Sequence, residues 1–156
     1  MSAQNVPVTD TYSFYKIPCC FYIGRRVLYP RKDRKSNMKI LTLNINSIRA
    51  HIESFIDILR SGEYDTILVQ ELKVETANFP HNIFDEFGYN IKVFGQKSWN
   101  GVAVFSKDSI EDTIMGLPTY SDVNARFIEC VIDGRVRMIN VYMPNSMNRD
   151  DVRAIG

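Results

Sequence analysis

The sequence is 156 residues long, 45% hydrophobic and 24% charged, which supports one globular domain with a real core and excludes a disordered chain. Its formal charge of +1 hides a division: residues 1–37 hold seven Lys/Arg against two Asp/Glu, a net of +5, and 38–156 is net −4. The folded part therefore has no net basic signature for nucleic acid, although a local basic cleft would not register in such a sum.

Residues 1–37 mix aromatics (Tyr12, Phe14, Tyr15, Phe21, Tyr22) with prolines before the basic stretch Arg31-Lys32-Asp33-Arg34-Lys35, with no sustained period of 2 or 3.6. The segment reads either as a basic arm on nucleic acid or as a flexible basic extension ahead of an orderly region starting at Met38. The second is preferred, because charge runs are usually solvated.

From Met38 a domain of 38–156 is expected. A strand falls at about 39–45. Ser47 is placed to cap a helix with the stripe Ile48, Ile52, Phe55, Ile56 and Leu59, and Gly62 suits its stop. A strand at 66–70 completes a strand–helix–strand unit. A short helix fits 80–87, between Pro80 and Gly88. Four more strands fit 89–94, 101–106, 126–132 and 136–142, the last two joined through the turn dipeptide Asp133-Gly134.

Cys19, Cys20 and Cys130 are an odd count without CxxC spacing, which argues against a disulfide framework or a zinc site. Cys130 lies in an apolar strand pattern and reads as core. No apolar run approaches the ~20 residues of a membrane span, and the N-terminus lacks the order of a signal peptide, so a cytoplasmic location is expected.

Three apolar runs end in polar residues: Ile40 to Leu43 in Asn44-Ile45-Asn46, Ile67 to Val69 in Gln70-Glu71, and Met138 to Val141 in Tyr142-Met143-Pro144-Asn145. Neighbouring strand ends share one edge of an α/β sheet, so these residues are expected to converge. A carboxylate directly after an apolar strand is costly to desolvate unless paired or cation-bound. Glu71 with Asn44 offers the oxygens a hard cation such as magnesium takes; the alternative is a solvated Glu, or one paired with Lys73. Tyr142 and Asn145, stiffened by Pro144, can bond a phosphate oxygen; on local sequence alone a strand-end Tyr and a turn Asn are the simpler reading. The loop Gln96-Lys97-Ser98-Trp99-Asn100-Gly101 suits a nucleic-acid groove or, equally, a hairpin loop with a half-buried Trp. His51 and His81 read as surface residues.

Taken together, Leu43-Asn44-Ile45-Asn46-Ser47-Ile48-Arg49-Ala50, Val69-Gln70-Glu71-Leu72-Lys73, Gly95-Gln96-Lys97 with Asn100-Gly101-Val102-Ala103-Val104-Phe105-Ser106-Lys107, and Asn140-Val141-Tyr142-Met143-Pro144-Asn145 resemble the exonuclease III branch of the endonuclease/exonuclease/phosphatase superfamily, which includes the apurinic/apyrimidinic (AP) endonucleases. The resemblance covers about residues 38–147. It implies half of a four-layer α/β sandwich, namely one mixed, mostly antiparallel sheet with flanking helices. It implies Glu71 as a magnesium ligand (manganese as substitute), Asn44 in the metal and catalytic network, Tyr142 against the scissile phosphate and Asn145 as a phosphate contact. Arg126, Lys97, Trp99 and Lys73 would face DNA.

The implied reaction is metal-assisted attack of water on a DNA phosphodiester in base-excision repair, 5′ to an abasic site or from a 3′ end. Leu72 stands where the family commonly has threonine, and Ser146 where it has glycine. The family's later Gly-Asp-x-Asn and Ser-Asp-His segments have no counterpart in these 156 residues. The chain is therefore expected to be inactive alone, and its strands at 101–106 and 126–132 to need cover from an absent sheet. Three further readings stand beside this one: a non-catalytic remnant, one part of a split enzyme completed by a second chain, and a phosphoesterase acting on a non-DNA substrate.

Overall fold

The computed structural model describes residues 16–17, 20–21, 38–118 and 123–144. Two short strands, β1 (Lys16–Ile17) and β2 (Cys20–Phe21), pair antiparallel with each other. The remainder begins with β3 (Ile40–Asn44), α1 (Ile52–Ser61) and β4 (Thr66–Gln70), in which β3 and β4 run parallel. A 3-10 turn at Thr76–Asn78 leads to α2 (His81–Phe84), which passes into a second 3-10 turn at Asp85–Phe87. Then come β5 (Asn90–Phe94), β6 (Val102–Ser106), β7 (Ile110–Met115), β8 (Phe127–Ile132) and β9 (Val136–Val141).

The strands form a four-stranded mixed sheet in the order β3-β4-β6-β5 and a three-stranded antiparallel sheet in the order β7-β8-β9. The sequence reading placed them in one sheet. The division follows from which faces are apolar. Leu41, Leu43, Ile67, Val69, Ala103 and Phe105 point from the first sheet to the helical side. Met38, Val102 and Val104 point the other way, where Ile128, Cys130, Ile132 and Met138 of the second sheet meet them. All five residues of β6 are buried because both its faces are covered, which is why it reads as an unbroken apolar run. The expectation that β6 and β8 would lack cover is thus overturned: they cover each other.

On the helical side Phe55 of α1 meets Phe105 and Phe84 edge to face, with ring centroids 4.9 and 5.7 Å apart. Gly62 ends the helix in a left-handed conformation, its N–H donating to the Leu59 carbonyl at 3.0 Å. The helix begins later than expected. Asn46 and Ser47 both have positive φ, and Ser47 is not its cap; His51 takes the cap position. At the opposite end of the sheets, Asp133 and Gly134 have φ of 55° and 61°, the two left-handed residues a tight hairpin needs. Cys130 is buried and its thiol is pushed up to about 11 by burial and by the neighbouring Glu129 charge, so it is a packing residue. Among the described residues no helix is long and apolar enough to cross a membrane.

Candidate functional site

Because β3 and β4 are parallel and in register, Asn44 lies opposite Gln70 and both strands finish at the same edge. β6 starts there, since Val102 pairs with Gln70, and β9 ends there at Val141. Among the described residues eight non-glycine residues have positive φ, and six of them sit in the three loops of this edge: Asn46, Ser47, Glu71, Lys73, Ser98 and Asn100. Such backbone is strained for L-residues and persists only where its surroundings over-determine it.

Hydrogen bonds supply that constraint. The Glu71 carbonyl accepts from Ser47 N–H at 2.7 Å and the Leu72 carbonyl from Ile48 N–H at 3.1 Å. On the other side Leu72 N–H donates to the Gly101 carbonyl at 3.1 Å and Lys73 N–H to the Asn100 carbonyl at 3.0 Å. Leu72, where threonine was expected, is fully buried in the helical-side core. A Cβ at residue 101 would stand 2.9 Å from the Leu72 Cβ, and φ there is 88°, so both sterics and backbone require Gly101.

The turn presents Glu71 to three partners. Asn44 Nδ2 donates to its Oε1 at 2.7 Å, Lys73 Nζ lies 3.2 Å from its Oε2, and the Tyr142 phenol donates to the carboxylate. Burial pushes the Glu71 carboxyl up, but the bonds from Asn44, Lys73 and Tyr142 and the Lys73 charge together hold it below its ordinary value. Asn44 Oδ1 accepts from Asn46 N–H at 3.1 Å, and Lys73 also donates to Asn46 Oδ1. Glu71 is therefore an ionised carboxylate whose cation-attracting side faces an ammonium.

Below the carboxylate the two sheets are pinned by amides. Asn140, buried on the inner face of β9, donates to the carbonyls of Val69 at 3.0 Å and Ala103 at 2.9 Å. Its Oδ1 accepts from Gln70 Nε2 at 2.6 Å, and Gln70 also donates to Thr42 Oγ1 at 3.1 Å. Two residues beyond Asn140, Tyr142 enters the site with its N–H donating to the Arg126 carbonyl at 2.8 Å. Arg126 Nε in turn donates to Asn100 Oδ1 at 3.3 Å.

The structure thus brings together Asn44, Glu71, Lys73 and Tyr142, and it ties Arg126 to them through Tyr142 and Asn100. Lys97 and Trp99 are exposed on the adjoining loop, and Asn145 lies outside the described residues. His51 is half-buried at the head of α1 and His81 exposed on α2, away from these contacts. Among the described residues no group of three or more His, Cys, Asp or Glu is gathered for a metal. Gln70, Gln96, Asn100, Asn124 and Asn140, which build the cluster's frame, were given no role of their own from the sequence, although Gln70, Gln96, Asn100 and Asn140 stand in the segments quoted from it. A polar residue at an inward register position of an apolar strand, as Asn140 is, was the available signal.

Residues 41–154 match the Endonuclease/Exonuclease/phosphatase family. The chain is 33% identical over 116 residues to exodeoxyribonuclease III of Haemophilus influenzae, covering 72% of this chain and 43% of that protein. It is 30% identical over 115 residues to an exodeoxyribonuclease of Bacillus subtilis, covering 70% and 44%. Among solved structures it is similar to a 3′-5′ exonuclease (NExo) from Neisseria meningitidis, with TM-score 0.69, 35% identity and coverage of 73% of this chain and 44% of that one. An AP endonuclease from Archaeoglobus fulgidus gives TM-score 0.65, 37% identity and coverage of 69% and 41%. The chain spans less than half the length of these relatives, and its two facing sheets are half of their α/β sandwich. On its sequence and on its fold alike, the chain belongs to the endonuclease/exonuclease/phosphatase family.

Proposed function

We propose that this chain supplies the metal-and-phosphate corner of a DNA nuclease of the exonuclease III and AP endonuclease type, acting in base-excision repair in the cytoplasm. The observation that carries the reading is the convergence of Asn44, Glu71 and Tyr142 from three strand ends, with Glu71 held ionised. Relatives of this chain include exodeoxyribonucleases, an AP endonuclease and a Neisseria 3′ phosphatase solved with a product DNA hairpin, which supports DNA as the partner.

The donor set fits a hard divalent cation, magnesium or manganese. Glu71 offers a carboxylate and Asn44 an amide oxygen, and the ammonium of Lys73 already occupies a cation's place beside Glu71. Such an ion, when bound, neutralises charge developing on phosphate oxygens. In this reading Lys73 then turns to the nucleic-acid backbone. Tyr142 directs its phenol at the scissile phosphate, and Asn145 provides a further phosphate contact. Arg126 holds the backbone, and Lys97 and Trp99 meet the strand from the exposed loop.

By the family resemblance, an aspartate orients or activates the water and a histidine sits at the phosphate, and this corner contains neither. They would come from a further segment or a second chain, and the 156 residues by themselves bind without cutting.

The test is calorimetric titration of the chain with magnesium, paired with a nicking assay on duplex DNA holding one abasic-site analogue. Magnesium should bind, Glu71→Ala should weaken it about tenfold or more, and no nicking should be seen. Magnesium-dependent nicking that Glu71→Ala abolishes would overturn the assignment of water activation to another segment. A structural Glu71–Lys73 pair, the competing reading that the 3.2 Å contact favours, instead predicts no magnesium binding and only lost stability in Glu71→Ala.

A further inference from the structure

Asn100 stands where the segments of the proposed site cross. It is 7% exposed and left-handed, with φ of 55°. Its Nδ2 donates to Gln96 Oε1 at 2.9 Å and to Asn124 Oδ1 at 3.2 Å, and its Oδ1 accepts from Arg126 Nε. Its backbone carbonyl takes the Lys73 N–H, two residues from Glu71. Gln96 Oε1 accepts the Ala125 N–H at 3.0 Å, and the Ala125 carbonyl accepts the Gly101 N–H at 2.9 Å, so the 95–101 and 124–126 segments are stitched on both sides of this amide. Immediately before it, Trp99 is 58% exposed.

Few side chains could hold this position. An amide supplies two donors and an acceptor at once, which neither a carboxylate nor an aliphatic group does, and asparagine tolerates the left-handed backbone better than most residues.

We propose that Asn100 is a positioning residue: its amide fixes the Trp99 loop and the Arg126 side chain against the Glu71 turn, so that aromatic, guanidinium and carboxylate meet one nucleic-acid backbone in a single register. This rests on the nucleic-acid reading of the site given above. Asn100 itself touches no substrate; it acts through Arg126 and Trp99.

Trp99 is the chain's single tryptophan, so its emission reports on the loop directly. Asn100→Gly keeps the left-handed backbone unstrained while deleting the amide. Acrylamide quenching and emission anisotropy of Trp99 would be measured in the full chain, alongside binding of a fluorescent abasic-analogue duplex by wild type, Asn100→Gly, Arg126→Ala and the double variant. Asn100→Gly should raise Trp99 quenching and lower its anisotropy while the circular dichroism is kept, and should weaken duplex binding about tenfold.

In the double variant the Asn100 change should cost less than about threefold, because its effect passes through Arg126. Unchanged Trp99 emission in Asn100→Gly, or strictly additive losses, would overturn the proposal. If Asn100→Gly does not fold, Asn124→Ala removes one of its acceptors at a half-buried position, and an unmoved Trp99 signal there would overturn it equally. Failure of the wild type to bind duplex would instead sink the nucleic-acid reading, with the Trp99 signal still deciding whether Asn100 fixes the loop.

Discussion

Glu71 is ionised against the pull of burial, and the pH dependence of the fold should record this. Its folded pKa lies below the ordinary 4.5, so its stabilisation is fully present above that value and is lost as pH falls through the folded value. Glu71→Gln removes the charge while keeping the shape. The variant should lose about 1–3 kcal/mol near neutral pH, where Lys73 and Tyr142 lose their charged acceptor, and the gap to wild type should close on acidification. Urea midpoints measured down to about pH 3 check this; a gap that stays constant would mean Glu71 contributes no titrating stability. Residues of this kind were legible because each closely follows an apolar run: Asn44 after Leu43, Glu71 in the Gln70-Glu71 pair that ends Ile67 to Val69, Tyr142 after Val141. Asn100 was not, since its partners Asn124 and Arg126 lie more than twenty positions away and leave no periodic trace.

At the scale of elements, Asn140 does for the two sheets what Asn100 does for the loops. Asn140→Ala would take a buried donor from the Val69 and Ala103 carbonyls and leave the Gln70 amide to Thr42 and Leu68 alone, a cost of about 1–3 kcal/mol that should appear as a Tm several degrees lower. Arg137→Ala, on the outer face of the same strand and in a surface pair with Glu129, should move Tm far less. Equal effects would deny Asn140 its pinning role. On the helical side, Phe55→Ala removes the ring that meets Phe84 and Phe105 and should cost about 3–5 kcal/mol.

The strands β3, β4, β5, β6, β8 and β9 were legible because their apolar residues are contiguous or alternate. β7 was missed: Ile110-Glu111-Asp112-Thr113-Ile114 is polar at its centre, and its register shifts between Glu111 and Ile114, which breaks the alternation a strand would show. The division into two sheets was not legible either. β6 and β8 are equally apolar whether they lie side by side or face to face, and only the pairing partners decide.

For the molecule as a whole, covering β6 with β8 moves the uncovered surface outward and does not remove it. The outer face of the second sheet carries Ile139 at 52%, Val141 at 42% and Ile114 at 42% exposure, with Ile114 and Ile139 in one row across Glu129. β9 is also the edge of that sheet among the described residues, so apolar side chains and edge backbone lie together. The chain spans less than half of relatives that share its fold, and among the described residues this face is exposed. The chain on its own should therefore bind an apolar dye and self-associate as its concentration rises from micromolar to millimolar. Ile139→Lys combined with Val141→Thr should suppress both while leaving Tm within a few degrees, because neither side chain contributes to the inner core. Dye binding and sedimentation velocity decide it: a chain that stays monomeric and dye-free before any substitution would show that this face tolerates water.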